Sequence, residues 1–399
     1  MTESGRFRAG RYIRQPQGYR AFIPAPLPPV DPPLQLDDAT QTLLSTADRA
    51  LGRLDGSIQT LPAADLFVFM YVRKEAVLSS QIEGTQSSLS DVLAAEAQLL
   101  DPGRPQDAAE VLNYVRAMRK GLGRLDALPV SVRLIREIHA ELMQGVRGEE
   151  RQPGELRRSQ NWIGPGGCTL AEAVYVPPPP HEMGEALSEW EKFLHRDTRL
   201  PLLVKVGLAH AQFETIHPFL DGNGRVGRLL ITLLLCEKQV LMKPVLYLSH
   251  YFRRHRQRYY DLLQATRDDG AWEAWIRFFL EGVASVADEA TATARGIVAL
   301  REQHRQVIIA QFGRRAANGL QVLESLYTMP IISIQHIINL TGVSFPAASQ
   351  LMDALVRHGI LHEITGQQRH RRFQYSAYIA LFSDGPAQVG VSEPNEGRP

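Results

Sequence analysis

The chain has 399 residues, 44% hydrophobic and 22% charged, within the range of globular domains, which excludes a chain disordered over most of its length. Lys and Arg total 44 against 43 for Asp and Glu, so the chain as a whole is no polyanion binder, although a local basic patch remains open. Two cysteines, Cys168 and Cys236, exclude a disulfide-rich secreted scaffold, and apolar runs such as 229–236 fall far short of the ~20 residues of a membrane span, so a soluble, cytoplasmic protein with no membrane partner is expected.

In chain order, residues 1–36 are rich in Arg, Pro and aromatics and end in FIPAPLPPVDPPL. Proline at that density forbids helix and predicts an extended strap. Apolar residues then recur at helical spacing over 37–100, with a long helix over 63–82 stopped by Gly84. DPGRPQD at 101–107 is a break, and helices resume through Tyr114 and Leu142. From 148 to 180 the pattern predicts a β-hairpin with irregular arms around a Gly-Pro-Gly-Gly turn, stopped by four prolines. Helices follow at 181–197 and 200–216, then a turn, then a strongly apolar helix over 226–240, then helices near 251–267 and 271–298. Over 300–382 the order helix, helix-turn-helix, hairpin is that of a winged helix. The expected division is therefore 1–105, a core over 106–298, a winged helix-turn-helix over 299–382 and a polar tail over 383–399.

The chemistry concentrates in HPFLDGNGRVGR at 217–228. Gly222, Asn223 and Gly224 precede a helix of about four turns. Small residues there admit a ligand close to the backbone. The unpaired N–H groups and positive dipole end make an anion site suited to phosphate. Arg225 and Arg228, one turn apart, suggest several phosphates. Asp221 is a hard oxygen ligand fit for a phosphate-bound magnesium ion. His217 could take a proton from an attacking hydroxyl. A DGNG string is usually only a turn. A calcium loop fails because Arg225 stands where an oxygen ligand is required, and no GxxxxGK[ST] string marks a P-loop. What favours function is the convergence of base, metal ligand, glycine nest and two arginines within one short stretch.

This stretch resembles the Fic family motif HPFx[D/E]GNGRxxR at every defining position. GRYIRQPQGYRAFIPAPLPP, RRSQNWIGPGG, VYVPPPP, LYLSHYF and RYYDLL also resemble family members with extra N- and C-terminal regions. The resemblance implies a mainly α-helical Fic core with a β-hairpin flap and a protein adenylyltransferase that moves AMP from ATP, with Mg2+, to a Ser, Thr or Tyr hydroxyl of a target protein. His217 would be the base and Asp221 the magnesium ligand. Gly222, Gly224 and the Asn223 side chain would form the anion hole, and Arg225 and Arg228 would bind the outer phosphates. Gln212, Tyr251 and Tyr260 are weaker candidates for the nucleotide pocket. Val174, Tyr175 and Val176 would be the flap edge that docks the target by strand addition.

Ser79-Ser80-Gln81-Ile82-Glu83-Gly84 matches the family's inhibitory pattern, [S/T]xxxE[G/N]. Four residues apart, Ser79 and Glu83 share a helix face, and the Glu83 carboxylate would pair with Arg228. Over 301–382, eight arginines face four acids, and Arg369, His370, Arg371 and Arg372 form a basic wing suited to phosphates. DNA contact through 299–382, a homodimer, self-modification, a DNA-binding regulator with a nucleotide-sensing core, and removal rather than transfer of AMP all stay open on the sequence.

Overall fold

The structure, a computed structural model, describes residues 8–59, 64–97, 107–165 and 167–383, with the backbone alone for 64–67. The expected break at 101–106, the tail beyond 383, and the expected helix start at Ala63 lie outside the described residues. Two compact units divide at Thr291 and Ala292.

The first unit opens with β1 (Gly10–Arg14) and β2 (Arg20–Pro24), an antiparallel hairpin in which Tyr12 faces Phe22 and Arg14 faces Arg20. The extended strap expected over 1–36 is thus a hairpin in its first half. Its prolines concentrate after Ile23, and the one proline inside, Pro16, sits in the turn, where it removes no ladder hydrogen bond.

Helices α1 (Asp38–Gln59), α2 (Ala64–Ile82), α3 (Leu89–Glu96), α4 (Asp107–Arg124) and α5 (Val132–Leu142) follow. Gly84, at φ 98°, lets the chain leave α2 where a Cβ would be strained. Because α2 packs on α4 and on later helices of the core, the 1–105 segment is no separate body.

Among the described residues of the flap region, 148–179, there is one β-bridge, between Ile163 and Tyr175, with single 3-10 turns at 149–151 and 170–172. Prolines at 165 and 177–180 and glycines at 164 and 167 leave too few consecutive residues for a ladder.

Next come α6 (Pro180–His195), α7 (Leu202–Ile216), α8 (Asn223–Glu237), α9 (Ser249–Arg254), α10 (Arg256–Asp269) and α11 (Trp272–Gln311). Nearly all of α7 and α8 is buried, as their all-round apolarity requires. Trp190 and Trp275 each donate their indole N–H to an α7 carbonyl, at Ala209 and Gly207, both at 2.8 Å. A Cβ at Gly207 would press on Ile276 and Phe279. The helix expected at 251–267 is two, broken at His255 (φ −114°, ψ 37°). The helix expected at 271–298 runs to Gln311, because no glycine or proline interrupts 297–312. No chain break therefore marks the expected boundary at 298–299.

The second unit holds the end of α11, then α12 (Ala316–Ser325), β3 (Ile331–Ile332), α13 (Ile334–Thr341), α14 (Phe345–Arg357), β4 (His362–Glu363), β5 (Phe373–Gln374) and α15 (Ser376–Ala380). The sheet order is β3-β5-β4, antiparallel. Tyr327, Tyr375, Tyr378 and Phe382 form an aromatic core with ring centroids 5.0–5.9 Å apart. Among the described residues no helix is long and apolar enough to cross a membrane.

Candidate active site

The site sits where α7 ends and α8 begins. His217 caps α7 in the left-handed region (φ 51°), and Gly222 caps α8 in the same region (φ 77°). Two such residues turn the chain back within six positions. Asn223 closes that turn: its Oδ1 accepts from Phe219 N–H and its Nδ2 donates to Phe219 C=O, both at 2.8 Å. The Asn223 side chain is therefore a clamp on the loop, with the second N–H of its amide left over.

His217 Nδ1 lies 3.3 Å from the Glu214 carbonyl. A carbonyl only accepts, so Nδ1 carries the proton and Nε2 keeps its lone pair. Burial, with Arg157 and Arg267 nearby, pushes the imidazole down to about 4, so it is neutral and ready to accept a proton at physiological pH.

Two residues with no assigned role in the sequence hold the histidine. Arg157, buried, donates Nε to the His217 carbonyl at 2.9 Å and reaches the Pro178 carbonyl with NH2. Asn161 donates Nδ2 to the Phe219 carbonyl at 2.8 Å. A third, His139 on α5, stacks on Phe219 at 3.8 Å, bonds the Asp221 carbonyl through Nε2 at 3.0 Å and accepts from Gly154 N–H through Nδ1. Their links to the 217–221 loop cross 58–82 residues of sequence, and no spacing rule could have paired them.

The two arginines have different surroundings. Arg225 points inward, 3.2 Å from Glu110 of α4, with its second NH group on Met143 Sδ at 3.5 Å. Both carboxylate and guanidinium are buried. Arg225 is thus anchored on Glu110 while its NH2 stays 3.7 Å from Asp221 and its Nε has no partner among the described residues, so it stands beside the site. Arg228 donates Nε to Ser79 Oγ at 2.9 Å and NH2 to Ser79 C=O at 3.0 Å, and the same NH2 meets Glu83 Oε1 at 2.5 Å. Burial opposes charge on Glu83, but the Arg228 guanidinium overcomes it and holds the carboxyl below its usual range. A Cβ at Gly224 would collide with the Glu83 carboxylate, so that carboxylate lies against the first turn of α8.

Asp221 is half exposed; its Oδ1 takes the Gly222 N–H at 2.6 Å and lies 3.7 Å from Arg225. Among the described residues no cluster of three metal-ligating side chains exists. One protein carboxylate beside a phosphate nest nonetheless fits magnesium, which commonly binds through one or two carboxylates with substrate phosphates and water completing its shell.

The other expected residues divide. Tyr260 is within electrostatic reach of Glu83 and Arg228 and packs on Tyr259. Gln212 instead donates to the Ala25 carbonyl at 2.9 Å, fastening the N-terminal strap. Tyr251 donates its hydroxyl to Glu281 at 3.1 Å and packs on Phe278, so both belong to the packing around the core. In the flap, Tyr175 exchanges both backbone groups with Ile163, Val174 N–H also goes to Ile163, and the Val176 carbonyl accepts from Phe22 of β2 at 2.9 Å. The edge expected to dock a target strand at 174–176 is mostly spent within the chain.

A glycine-capped helix N-terminus with a neutral histidine at its mouth and a glutamate on its arginine has the chemistry to receive an anion. The Fic/DOC family N-terminal model matches residues 41–123 and the Fic/DOC family model residues 129–235, so the chain carries a Fic N-terminal region followed by a Fic domain. Among curated relatives, "Protein adenylyltransferase Fic" of Aedes aegypti is 32% identical over 154 residues, 38% of this chain and 27% of that protein. The same-named protein of Drosophila willistoni is 27% identical over 256 residues, 61% and 47% respectively. The chain thus spans less than half the length of these relatives. A crystal structure of a Fic family protein from Desulfovibrio desulfuricans G20 superposes with a TM-score of 0.56 at 19% identity, covering 86% of this chain and 97% of that one, a likeness of fold.

Proposed function

We propose that the protein transfers AMP from ATP to a Ser, Thr or Tyr hydroxyl of a target protein, and that Glu83 holds it in a closed state. One observation carries this reading: a carboxylate already lies against the α8 N-terminus, on Arg228. A site that seats that anion against a helix dipole has the chemistry for a phosphate, and only one of the two can be there.

His217 Nε2 takes the proton of the attacking hydroxyl. The oxygen bonds to the α-phosphorus, the bond to the β-phosphate oxygen breaks, and pyrophosphate leaves. The Gly222–Gly224 backbone and Arg228, once free of Glu83, hold the phosphates, while Arg157, Asn161 and His139 fix the loop that aims His217. Magnesium held at Asp221 would neutralise charge on the phosphates. Arg225 anchors α8 to Glu110 and lies 3.7 Å from Asp221.

Incubation with α-labelled ATP and magnesium, followed by gel autoradiography, tests the reading. Label should pass to protein in Glu83→Gly and not in Glu83→Gly combined with His217→Ala. Equal label in both would overturn it.

The second unit supports a further, separate role. Its elements have the order of a winged helix, and its hairpin tip carries exposed Arg369, His370 and Arg371, with His370 at φ 57°. We read this tip as a phosphate contact on DNA. Duplex binding should weaken steeply with salt, and neutralising Arg369 and Arg371 should flatten the slope by about 2. No duplex binding at low salt would reject the role.

A further inference from the structure

Beside the flap lies a cavity of about 760 Å³. Tyr12, Tyr19 and Arg20 of the N-terminal hairpin form one wall, Leu170 and Val174 of the flap another, and Asp268 of α10 lies at its base. The hairpin is fastened to the flap by the bond from Phe22 N–H to the Val176 carbonyl. Val174 is 63% exposed toward solvent.

The charge on the hairpin wall is unusual. Arg14 and Arg20 are direct cross-strand partners, and both are exposed. Like charges directly opposite each other destabilise a strand pair. Among the described residues neither has a carboxylate partner; Arg20 instead stacks over the Tyr12 ring at 5.3 Å. The one acid in the lining, Asp268, already accepts from the Tyr12 hydroxyl at 2.9 Å and from Gln264 at 2.9 Å. The wall therefore offers the Arg20 guanidinium, two tyrosine rings and an apolar flank, with Arg14 opposite Arg20 on the hairpin and one carboxylate, Asp268, held by the Tyr12 hydroxyl and Gln264.

We propose that this groove binds an acidic, extended segment of the target protein beside its hydroxyl residue, with Arg14 and Arg20 pairing to carboxylates and Val174 and Leu170 receiving apolar side chains. The inference rests on the reading of the protein as one that modifies a target protein. It places target choice in side chains of the N-terminal hairpin, where the backbone edge of the flap is already occupied.

The test is fluorescence anisotropy on the full chain without nucleotide. The probe is a short fluorescein-labelled peptide with one threonine flanked by glutamates. Its isostere carries glutamines, and a single-stranded oligonucleotide serves as a second anion. The glutamate peptide should bind about tenfold more tightly than the glutamine peptide at low salt, with the advantage shrinking as salt rises. Arg14→Gln with Arg20→Gln should bring the two peptides level, and relief of the opposed charges should keep the thermal midpoint at or above that of the parent. Equal affinity for the two peptides, an undiminished preference in the double variant, or an oligonucleotide bound as tightly as the glutamate peptide would each overturn the groove. Labelling plays no part in this readout. Loss of the peptide preference with AMP transfer intact would overturn the groove and leave the proposed function; failure of AMP transfer with the preference intact would overturn the proposed function and leave an acidic-peptide site without its assigned target.

Discussion

The two corners of the site, Arg225 with Glu110 and Arg228 with Glu83, are built from the same residue types one helical turn apart and do opposite things. Glu110 is as buried as its arginine, at 5% and 4% side-chain exposure; Glu83 keeps 34% exposure against 1% for Arg228. Glu110 stands in the first turn of α4, within the helix, and is also approached by Arg147. Glu83 stands just beyond the end of α2, before a left-handed glycine. Burial, only partly offset by Arg225 and Arg147, pushes the Glu110 carboxyl up, whereas Arg228 holds that of Glu83 down. A pair closed on all sides can only be structure. A pair with one partner at a helix exit, open to solvent, can be undone and remade, which is what a switch requires.

The largest expected effect sharpens that comparison by showing where any gain must flow. His217→Ala in a Glu83→Gly background should lower the labelling rate by about 100-fold or more, the usual worth of a positioned base, while ATP binding survives. Retained labelling would mean that opening the Glu83 corner releases some other chemistry.

Next in size is Glu83→Gly itself. If the closed state is favoured by ~2.7 kcal/mol, about one molecule in a hundred is competent, so labelling should rise tens-fold. Glycine also weakens the helix end by ~1 kcal/mol, so Glu83→Gln is the control that keeps the backbone and removes the charge. Parent-level labelling in both variants would break the contrast. Arg228→Ala added to Glu83→Gly should lose the gain.

Glu110→Ala should do the reverse. It strands a buried guanidinium, at a cost of about 3–5 kcal/mol, so the urea midpoint should fall with no rise in labelling per folded molecule. A gain in labelling would make both corners switches.

The smallest effect is in pH. The lowered Glu83 carboxyl contributes stability that is fully present above its ordinary 4.5 and is lost as pH falls through its folded value. Mild acid therefore protonates Glu110 first and leaves the Glu83 corner closed. In Glu83→Gly the rate should stay flat on going from about pH 8 to about pH 5, since His217 is neutral down to about 4. A limb near 6.5 would show that the histidine titrates as an exposed one.

How much of this was legible in the sequence follows from distance along the chain. The 217–228 stretch is one segment, so its base, nest and arginines could be read together, and Ser79 with Glu83 could be read from helical spacing. Which arginine was free could not, because Glu110 is 115 residues from Arg225. Asn223 was read as a ligand group because an asparagine beside two glycines offers the same amide to a phosphate or to its own loop. The helical core was legible from apolar periodicity. The N-terminal hairpin was hidden by the prolines that follow it, and the flap looked more regular than its single bridge because turn residues mark where a hairpin bends, not how far its arms pair.

Gly224 has a consequence for how this protein can change by mutation. The bare backbone at that position admits the Glu83 carboxylate and, on the proposed reading, a phosphate in its place. On that reading any side chain there excludes both tenants at once, so no substitution of Gly224 can release the site from Glu83 without also closing it to phosphate. Variants with raised activity should then arise at Glu83 or Ser79 and never at the glycine that carboxylate and phosphate would share.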